Sequence, residues 1–188
     1  MDSEFLKKVL GGDEQAYRYF VDKYGNMAFS IAVSIVKNPE EAEEVVQDAF
    51  LKAYNALPAF QQRSKFSTWF YKIVVNEGLK KLRKKKIKFA PVEEIETGYM
   101  VDESELNQSL RSLKENEQKQ FINLTLGKMA ARDSLIMRLF YLEERDINEV
   151  ADIMELSITN VKTLLFRSRK RFYRILEEEL KHELKSIL

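Results

Sequence analysis

The chain contains no cysteine, which rules out a disulfide framework and a thiolate metal site and fits a reducing compartment. Its single histidine, His182, lies in the EEELKHELK run near the C-terminus, so imidazole acid–base chemistry and a histidine zinc site have almost nothing to work with. Only three prolines and six glycines interrupt 188 residues, and no hairpin signal stands between apolar runs, which leaves helical periodicity as the dominant pattern. No apolar run approaches the roughly 20 residues that a membrane-spanning helix requires. The opening MDSEFLKK lacks the basic and apolar regions of a signal peptide. A cytoplasmic, all-α protein is expected.

What remains is a chain with 45% hydrophobic and 32% charged residues, enough to bury a core and stay dissolved, and long enough for one ordinary domain or two small ones. The net charge of +1 hides an uneven distribution. Residues 1–88 carry 16 basic against 11 acidic groups, residues 89–107 none against 6, and residues 108–188 carry 15 against 13. Two mildly basic modules therefore flank an acidic tether. Long-range attraction to nucleic acid is weak for the whole molecule and confined to patches, so a partner is expected to hold it on DNA.

In the first module, Tyr17, Phe20, Val21, Tyr24, Ala28, Ile31 and Ile35 recur at helical spacing and predict an amphipathic helix ending near Asn38. Asn38, Pro39 and Glu41 then supply an N-cap, a first-position proline and a capping-box partner for the next helix. Its inward residues are predicted to be Ala42, Val45, Val46, Ala49, Ala53 and Leu57, with Pro58 as the stop. A polar loop over about 59–65 leads to a third helix, with Ser67 or Thr68 as its cap. At about 100° per residue, Trp69, Lys72, Asn76, Lys80 and Arg83 fall within roughly 80° of arc, opposite Phe70, Tyr71, Val74, Val75, Gly78, Leu79 and Leu82. Lys84, Lys85, Lys86 and Lys88 extend the stripe. An aromatic, an amide and cations on one side suit phosphates and unstacked bases. A solvated lysine face with Trp69 packed on a neighbour fits the same spacing.

The segment 87–105 loses periodicity and reads as a linker. Periodicity resumes with Leu106, Leu110, Leu113, Phe121, Leu124 and Leu126, and continues to Met154. Residues 146–171, DINEVADIMELSITNVKTLLFRSRKR, then read as a helix-turn-helix. Ile147, Val150 and Ala151 line the first helix, Ser157 caps the second, and Val161 and Leu165 anchor it. Glu155 occupies the turn position that favours glycine, at a cost of about 1 kcal/mol. Thr159, Lys162, Thr163, Phe166, Arg167 and Lys170 share the outward face, a set suited to the major groove. Phe166 can meet a thymine methyl or pack within the protein, and a plain helical hairpin with a basic surface would show the same pattern.

Two such modules in this order resemble the extracytoplasmic-function, or group IV, sigma factors of bacterial RNA polymerase. The residues that carry the resemblance are GDEQAYRYFVDKY (12–24), NPEEAEEVVQDAFLKAY (38–54), FQQRSKFSTWFYKIVVN (60–76), LRKKK (82–86) and the stretch 130–172. The resemblance implies that 1–88 binds core polymerase and melts the minus-10 element, and that 108–188 reads the minus-35 element. Val45, Gln47, Asp48, Phe50 and Leu51 would grip the β′ clamp helices. Gln61, Gln62, Arg63, Ser64 and Lys65 would hold a flipped minus-10 base, with Trp69, Lys72, Asn76, Lys80, Arg83 and Lys84 tracking the strand. Ser157, Thr159, Asn160, Lys162, Thr163, Phe166, Arg167 and Lys170 would read duplex. Core polymerase, through its clamp helices and β flap, promoter DNA and an anti-sigma factor are the implied partners. The tether would thread a basic channel of polymerase. Lys80 stands where relatives often carry aspartate, Leu164 where they carry arginine, and Ala130 and Ala131 where they carry proline.

Three other readings compete. A metal enzyme would use Glu40, Glu44 and Asp48 at i, i+4 and i+8, but the chain has no Glu-x-x-His partner helix. A dimeric helix-turn-helix regulator would pair through Leu176, Leu180, Leu184 and Ile187, acting without polymerase. A helical adaptor would bind only protein. No cofactor and no catalytic activity are expected.

Overall fold

The computed structural model describes residues 1–84 and 115–187, with side chains described through residue 181. The expected acidic tether at 89–107, the basic group Lys85, Lys86 and Lys88, and the leucines 106, 110 and 113 lie outside the described residues. Within the described residues there are eight α-helices and no strand. They are α1 (Asp2–Leu10), α2 (Arg18–Val36), α3 (Pro39–Ala56), α4 (Phe66–Lys84), α5 (Glu115–Lys128), α6 (Ala131–Met137), α7 (Ile147–Met154) and α8 (Ile158–Ile187).

Helices α2, α3 and α4 pack against one another as the first module. Phe20, Tyr24, Ala28, Ile31 and Ile35 bury the face that the sequence spacing marks, while Val21, about 100° from Phe20 on the wheel, stays exposed at its edge. Helix α2 stops at Val36, two residues before the expected end, because Lys37 turns left-handed (φ 56°) and returns its amide to the Val33 carbonyl. Asn38 Oδ1 then accepts from the Glu41 amide at 2.8 Å, and Pro39 opens α3 as expected. On α3, Ala42, Val45, Ala49, Ala53 and Leu57 are buried, and Phe50 joins them in place of the half-buried Val46.

Helix α4 corrects one expectation. It begins at Phe66, so Ser67 and Thr68 lie inside its first turn rather than capping it, and both are buried. Gly78 allows α4 to approach α2 closely: a Cβ there would lie 3.1 Å from Ile35 Cδ1. Helix α1 is tied down by the Asp2 carboxylate, which accepts from Tyr19 at 2.7 Å and from Lys23 and Tyr24 at 2.5 Å each.

In the second module α5 and α6 pack on the long α8. Asp133 is 2% exposed on α6, and it accepts from Ser168 Oγ at 2.5 Å and from Arg171 at 2.6 Å. A buried carboxylate with two donors is satisfied and locks the helix pair in register. A π-turn over Arg138–Leu142 leads to α7, whose N-terminus is held by a capping box between Asp146 and Glu149. Glu155 takes the left-handed conformation (φ 54°, ψ 44°) expected of the helix-turn-helix turn. Ser157 Oγ accepts from the Asn160 amide at 3.2 Å and starts α8.

The modules are in contact through two helix pairs, α2 with α6 and α4 with α7. Nothing in the sequence pattern marks these pairings.

Candidate nucleic-acid interface

The loop before α4 presents polar groups outward. Gln61, Gln62, Arg63 and Lys65 are exposed and Ser64 is half-buried. Gln62 adopts a left-handed φ of 53°, which costs a residue with a Cβ about 1–2 kcal/mol and is offset by the surrounding turn. Phe60, which the sequence reading did not single out, stacks on Trp69 with centroids 4.6 Å apart and planes 27° apart. Trp69 is therefore half-buried on its own loop rather than on a neighbouring helix. It packs, and it packs on the loop proposed to take a base.

The rest of the stripe divides in three. Arg83 and Lys84 are exposed, and Asn76 is half-buried. Lys80 Nζ lies 3.1 Å from Glu77, a carboxylate only 7% exposed that also receives Lys52 at 2.8 Å. Lys72 is drawn off the stripe by the second module, lying 3.2 Å from Glu155 and 3.7 Å from Asp152.

That acidic edge of α7 is the part of the site that sequence reasoning missed. Glu149, Asp152 and Glu155 recur every third residue, a spacing that signals an acidic edge within the helix-turn-helix. Glu149 accepts from Lys65 at 3.0 Å and from Thr68 at 3.1 Å. Burial alone pushes the Glu149 carboxyl up, but the bonds from Lys65, Thr68 and the Asp146 amide outweigh it and leave the group below the usual carboxylate range. Arg145 completes the contact, donating to Ser67 Oγ at 3.2 Å with its guanidinium 5.4 Å from the centroid of the Tyr71 ring.

The helix-turn-helix face is open. Ser157, Thr159, Asn160, Lys162, Thr163 and Lys170 are exposed, Arg167 is half-buried, and Phe166 is 52% exposed. Lys170 Nζ lies 4.6 Å from the Phe166 ring centroid, a cation–π contact on the surface. Phe166 therefore points outward rather than into the protein. Leu164 is 4% exposed and belongs to the core beside Val161 and Leu165, so an arginine-like contact from that position is absent here.

On α3, Gln47, Asp48 and Leu51 form an exposed row, with Leu51 64% exposed. Val45 and Phe50 do not join it. They are 2% and 8% exposed, because their positions on the helix face α2 and α4, and a partner cannot touch them without unpacking the module. Glu44, from the carboxylate row considered for a metal, pairs with Lys81 of α4. Among the described residues no three metal-ligating side chains converge.

Residues 20–87 match the model of sigma-70 region 2, and residues 122–172 match that of sigma-70 region 4. The chain is 28% identical over 170 residues to the ECF RNA polymerase sigma factor SigW of Bacillus subtilis, covering 88% of this chain and 91% of the relative. It is 27% identical over 176 residues to the ECF sigma-E factor of Escherichia coli, covering 90% and 91%. The chain belongs to the ECF group of the sigma-70 family.

In sigma-70 terms, region 2 spans α2, α3 and α4, and region 4 spans the second half of α5 together with α6, α7 and the first half of α8. The solved structure of CnrH in complex with the cytosolic domain of CnrY shares this fold, with a TM-score of 0.64, 21% identity and coverage of 93% of this chain and 96% of that one. The sigma factor RpoE of Bartonella quintana, solved with the anti-sigma factor NepR, gives a TM-score of 0.58 at 19% identity, covering 86% and 96%.

Proposed function

We infer that this ECF sigma factor directs core RNA polymerase to specific promoters and starts transcription there, with region 4 reading minus-35 duplex and region 2 capturing a minus-10 strand. The observation that carries the reading is the co-occurrence, in one chain and in family order, of an exposed α3 row, a polar loop feeding a cationic helix, and an outward-facing recognition helix. Residues 1–88 and 108–188 are the two functional modules, joined by the acidic tether 89–107. Gln47, Asp48 and Leu51 are proposed to meet the β′ clamp helices, and region 4 to meet the β flap.

Gln61, Gln62, Arg63, Ser64 and Lys65 supply the donors and acceptors that recover the few kcal/mol lost on unstacking a base. Lys72, Lys80, Arg83 and Lys84 neutralise strand phosphates, and the Asn76 amide donates a hydrogen bond to the strand. On α8, Thr159, Lys162, Thr163, Phe166, Arg167 and Lys170 face the major groove, with Ser157 and Asn160 at the helix N-terminus positioned for phosphate. Polymerase makes the phosphodiester bonds, and this chain adds specificity rather than catalysis. The work is done where polymerase is, in the cytoplasm, and an anti-sigma factor is the expected inhibitor.

The dimeric-regulator reading loses support at one residue of its interface, with Leu180 half-buried and the side chains of Leu184 and Ile187 outside the described ones. Leu176 of the proposed dimer edge is 0% exposed, covered within region 4 itself. Reconstituted transcription with bacterial core polymerase, with start sites mapped across a genome, tests the proposal. New starts that depend on this chain support it. A folded chain that ignores core polymerase refutes it, and a duplex shift that needs no polymerase returns the regulator.

A further inference from the structure

The contact between the modules falls on the strand-binding stripe and spares the other two faces. Glu149 receives Lys65 at 3.0 Å and Thr68 at 3.1 Å, and Lys72 lies 3.7 Å from Asp152 and 3.2 Å from Glu155. Each partner on α4 or its loop is a cation or hydroxyl of the kind that takes a phosphate oxygen, and each partner on α7 offers a carboxylate oxygen in its place. The row α7 presents, one carboxylate per three residues, is an anionic edge laid along a cationic one. Meanwhile Lys162, Thr163, Phe166 and Lys170 on α8 stay exposed, as do Asp48 and Leu51 on α3.

We propose that Glu149, Asp152 and Glu155 act as an internal substitute for DNA phosphates, an autoinhibitory clasp that closes the strand face of region 2 while leaving the duplex-reading face and the α3 row free. The proposal rests on the strand-binding reading of α4 given above. It explains why the free chain would be selective about order: duplex and polymerase meet open surfaces, and the single strand must displace the clasp.

The clasp is built to release. Each pair keeps one open partner, Lys65 at 69% against Glu149 at 14% exposed, and Asp152 and Glu155 at 51% and 57% against Lys72 at 34%, so the pairs are modest individually and weaken with salt. Buried apolar residues of the two modules belong to one core, and the hydrogen bonds between the end of α2 and the second module go to neutral acceptors that water can replace. Lys37 Nζ donates to the Leu126 and Gly127 carbonyls at 3.2 Å, and Arg138 to Ser30 Oγ at 3.0 Å.

The absence of cysteine allows clean labelling at two introduced ones. Asn55→Cys and Arg174→Cys, at exposed positions on α3 and α8, report module separation by single-molecule energy transfer. The clasp variant is Glu149→Gln with Asp152→Asn and Glu155→Gln. The control, Glu14→Gln with Asp22→Asn and Glu178→Gln, removes the same charge from exposed positions elsewhere.

The clasp variant should lose the high-transfer state that wild type and control retain, and moderate salt should remove it from wild type. The clasp variant should also bind a labelled oligothymidylate strand roughly tenfold more tightly than the control, the size expected of three exposed ion pairs. Affinity for a random duplex should match the control within about twofold.

Equal transfer in wild type and clasp variant overturns the clasp. Opening without gain of strand binding over the control also overturns it, and locates the failure in the strand-binding reading of α4 rather than in the contact between modules.

Discussion

Glu155 Oε1 lies 3.2 Å from Lys72 Nζ, so the residue that turns the helix-turn-helix in a left-handed conformation also reaches the cationic stripe of α4 in the other module. Two demands meet at one position. Backbone geometry favours glycine at φ 54°, and the contact between modules needs a carboxylate.

The two demands separate by mutation. Glu155→Ala keeps the left-handed cost and loses the pair, whereas Glu155→Gly loses the pair and relieves the backbone. Glycine should therefore leave the protein more stable than alanine by about 1 kcal/mol, read from urea denaturation midpoints. Equal midpoints would mean that the turn carries no strain.

Gly78 tests the α2–α4 approach. A Cβ at this position meets Ile35 Cδ1 at 3.1 Å and Cγ2 at 3.2 Å, and Ile35 is 1% exposed with little room to move. Gly78→Ala gains about 1 kcal/mol of helix propensity but should lose about 1–3 kcal/mol to overpacking. Ile35→Val removes Cδ1, so the double variant should be more stable than the sum of the two single changes. Simple additivity in thermal melts would show that the two helices do not touch there.

Asp48 and Phe50 are two residues apart on α3 and should behave differently. Asp48→Arg, at an exposed site, should weaken binding to core polymerase by about tenfold or more, the scale of a reversed interface charge, without shifting the melt. Phe50→Ala, at an 8% exposed core site, should cost about 3–5 kcal/mol of stability. Polymerase affinity by biolayer interferometry and melting by circular dichroism distinguish the two. Normal affinity in the Asp48 variant would remove it from the interface.

The docking of α1 should depend on pH. Burial pushes the Asp2 carboxyl up, but donors from Lys23, Tyr24 and Tyr19 outweigh it and hold the group below the usual aspartate range. A carboxyl depressed in the folded state stabilises fully above its unfolded value and loses that contribution as pH falls through the folded one. The exchange profile of α1 amides, written as protection relative to the intrinsic rate at each pH, should therefore be high at neutral pH and fall below about pH 4. Asp2→Asn should remove the pH dependence at a cost of about 1 kcal/mol, discounted for partial exposure. A flat exchange profile in wild type would contradict the anchor.

Much of this architecture is legible in local signals. The Asn38 cap, Pro39 at the first position of α3 and the Ser157 cap each rest on a few neighbouring residues whose chemistry favours one backbone conformation, and the left-handed turn at Glu155 follows from the helix-turn-helix spacing despite its residue type. The core stripe of α2 and the open face of α8 follow from a period of 3.6 residues. Pattern and structure part where two faces compete: Ser67 and Thr68 look like caps by type, yet the helix starts at Phe66 and both hydroxyls bond across the chain, to Arg145 and Glu149. Phe50 sits beside an exposed row in sequence but turns inward to the Phe70 ring, 4.4 Å away.

The sequence alone determined the two helical modules, their order, their family and the side chains that face outward on α8, because periodicity, caps and turn residues act over a few positions. Which outward face stays open was decided by tertiary structure. Lys65 and Lys72 are equally suited by type to a phosphate or a carboxylate, and only packing α7 against α4, which joins residues about eighty positions apart, put Glu149, Asp152 and Glu155 there.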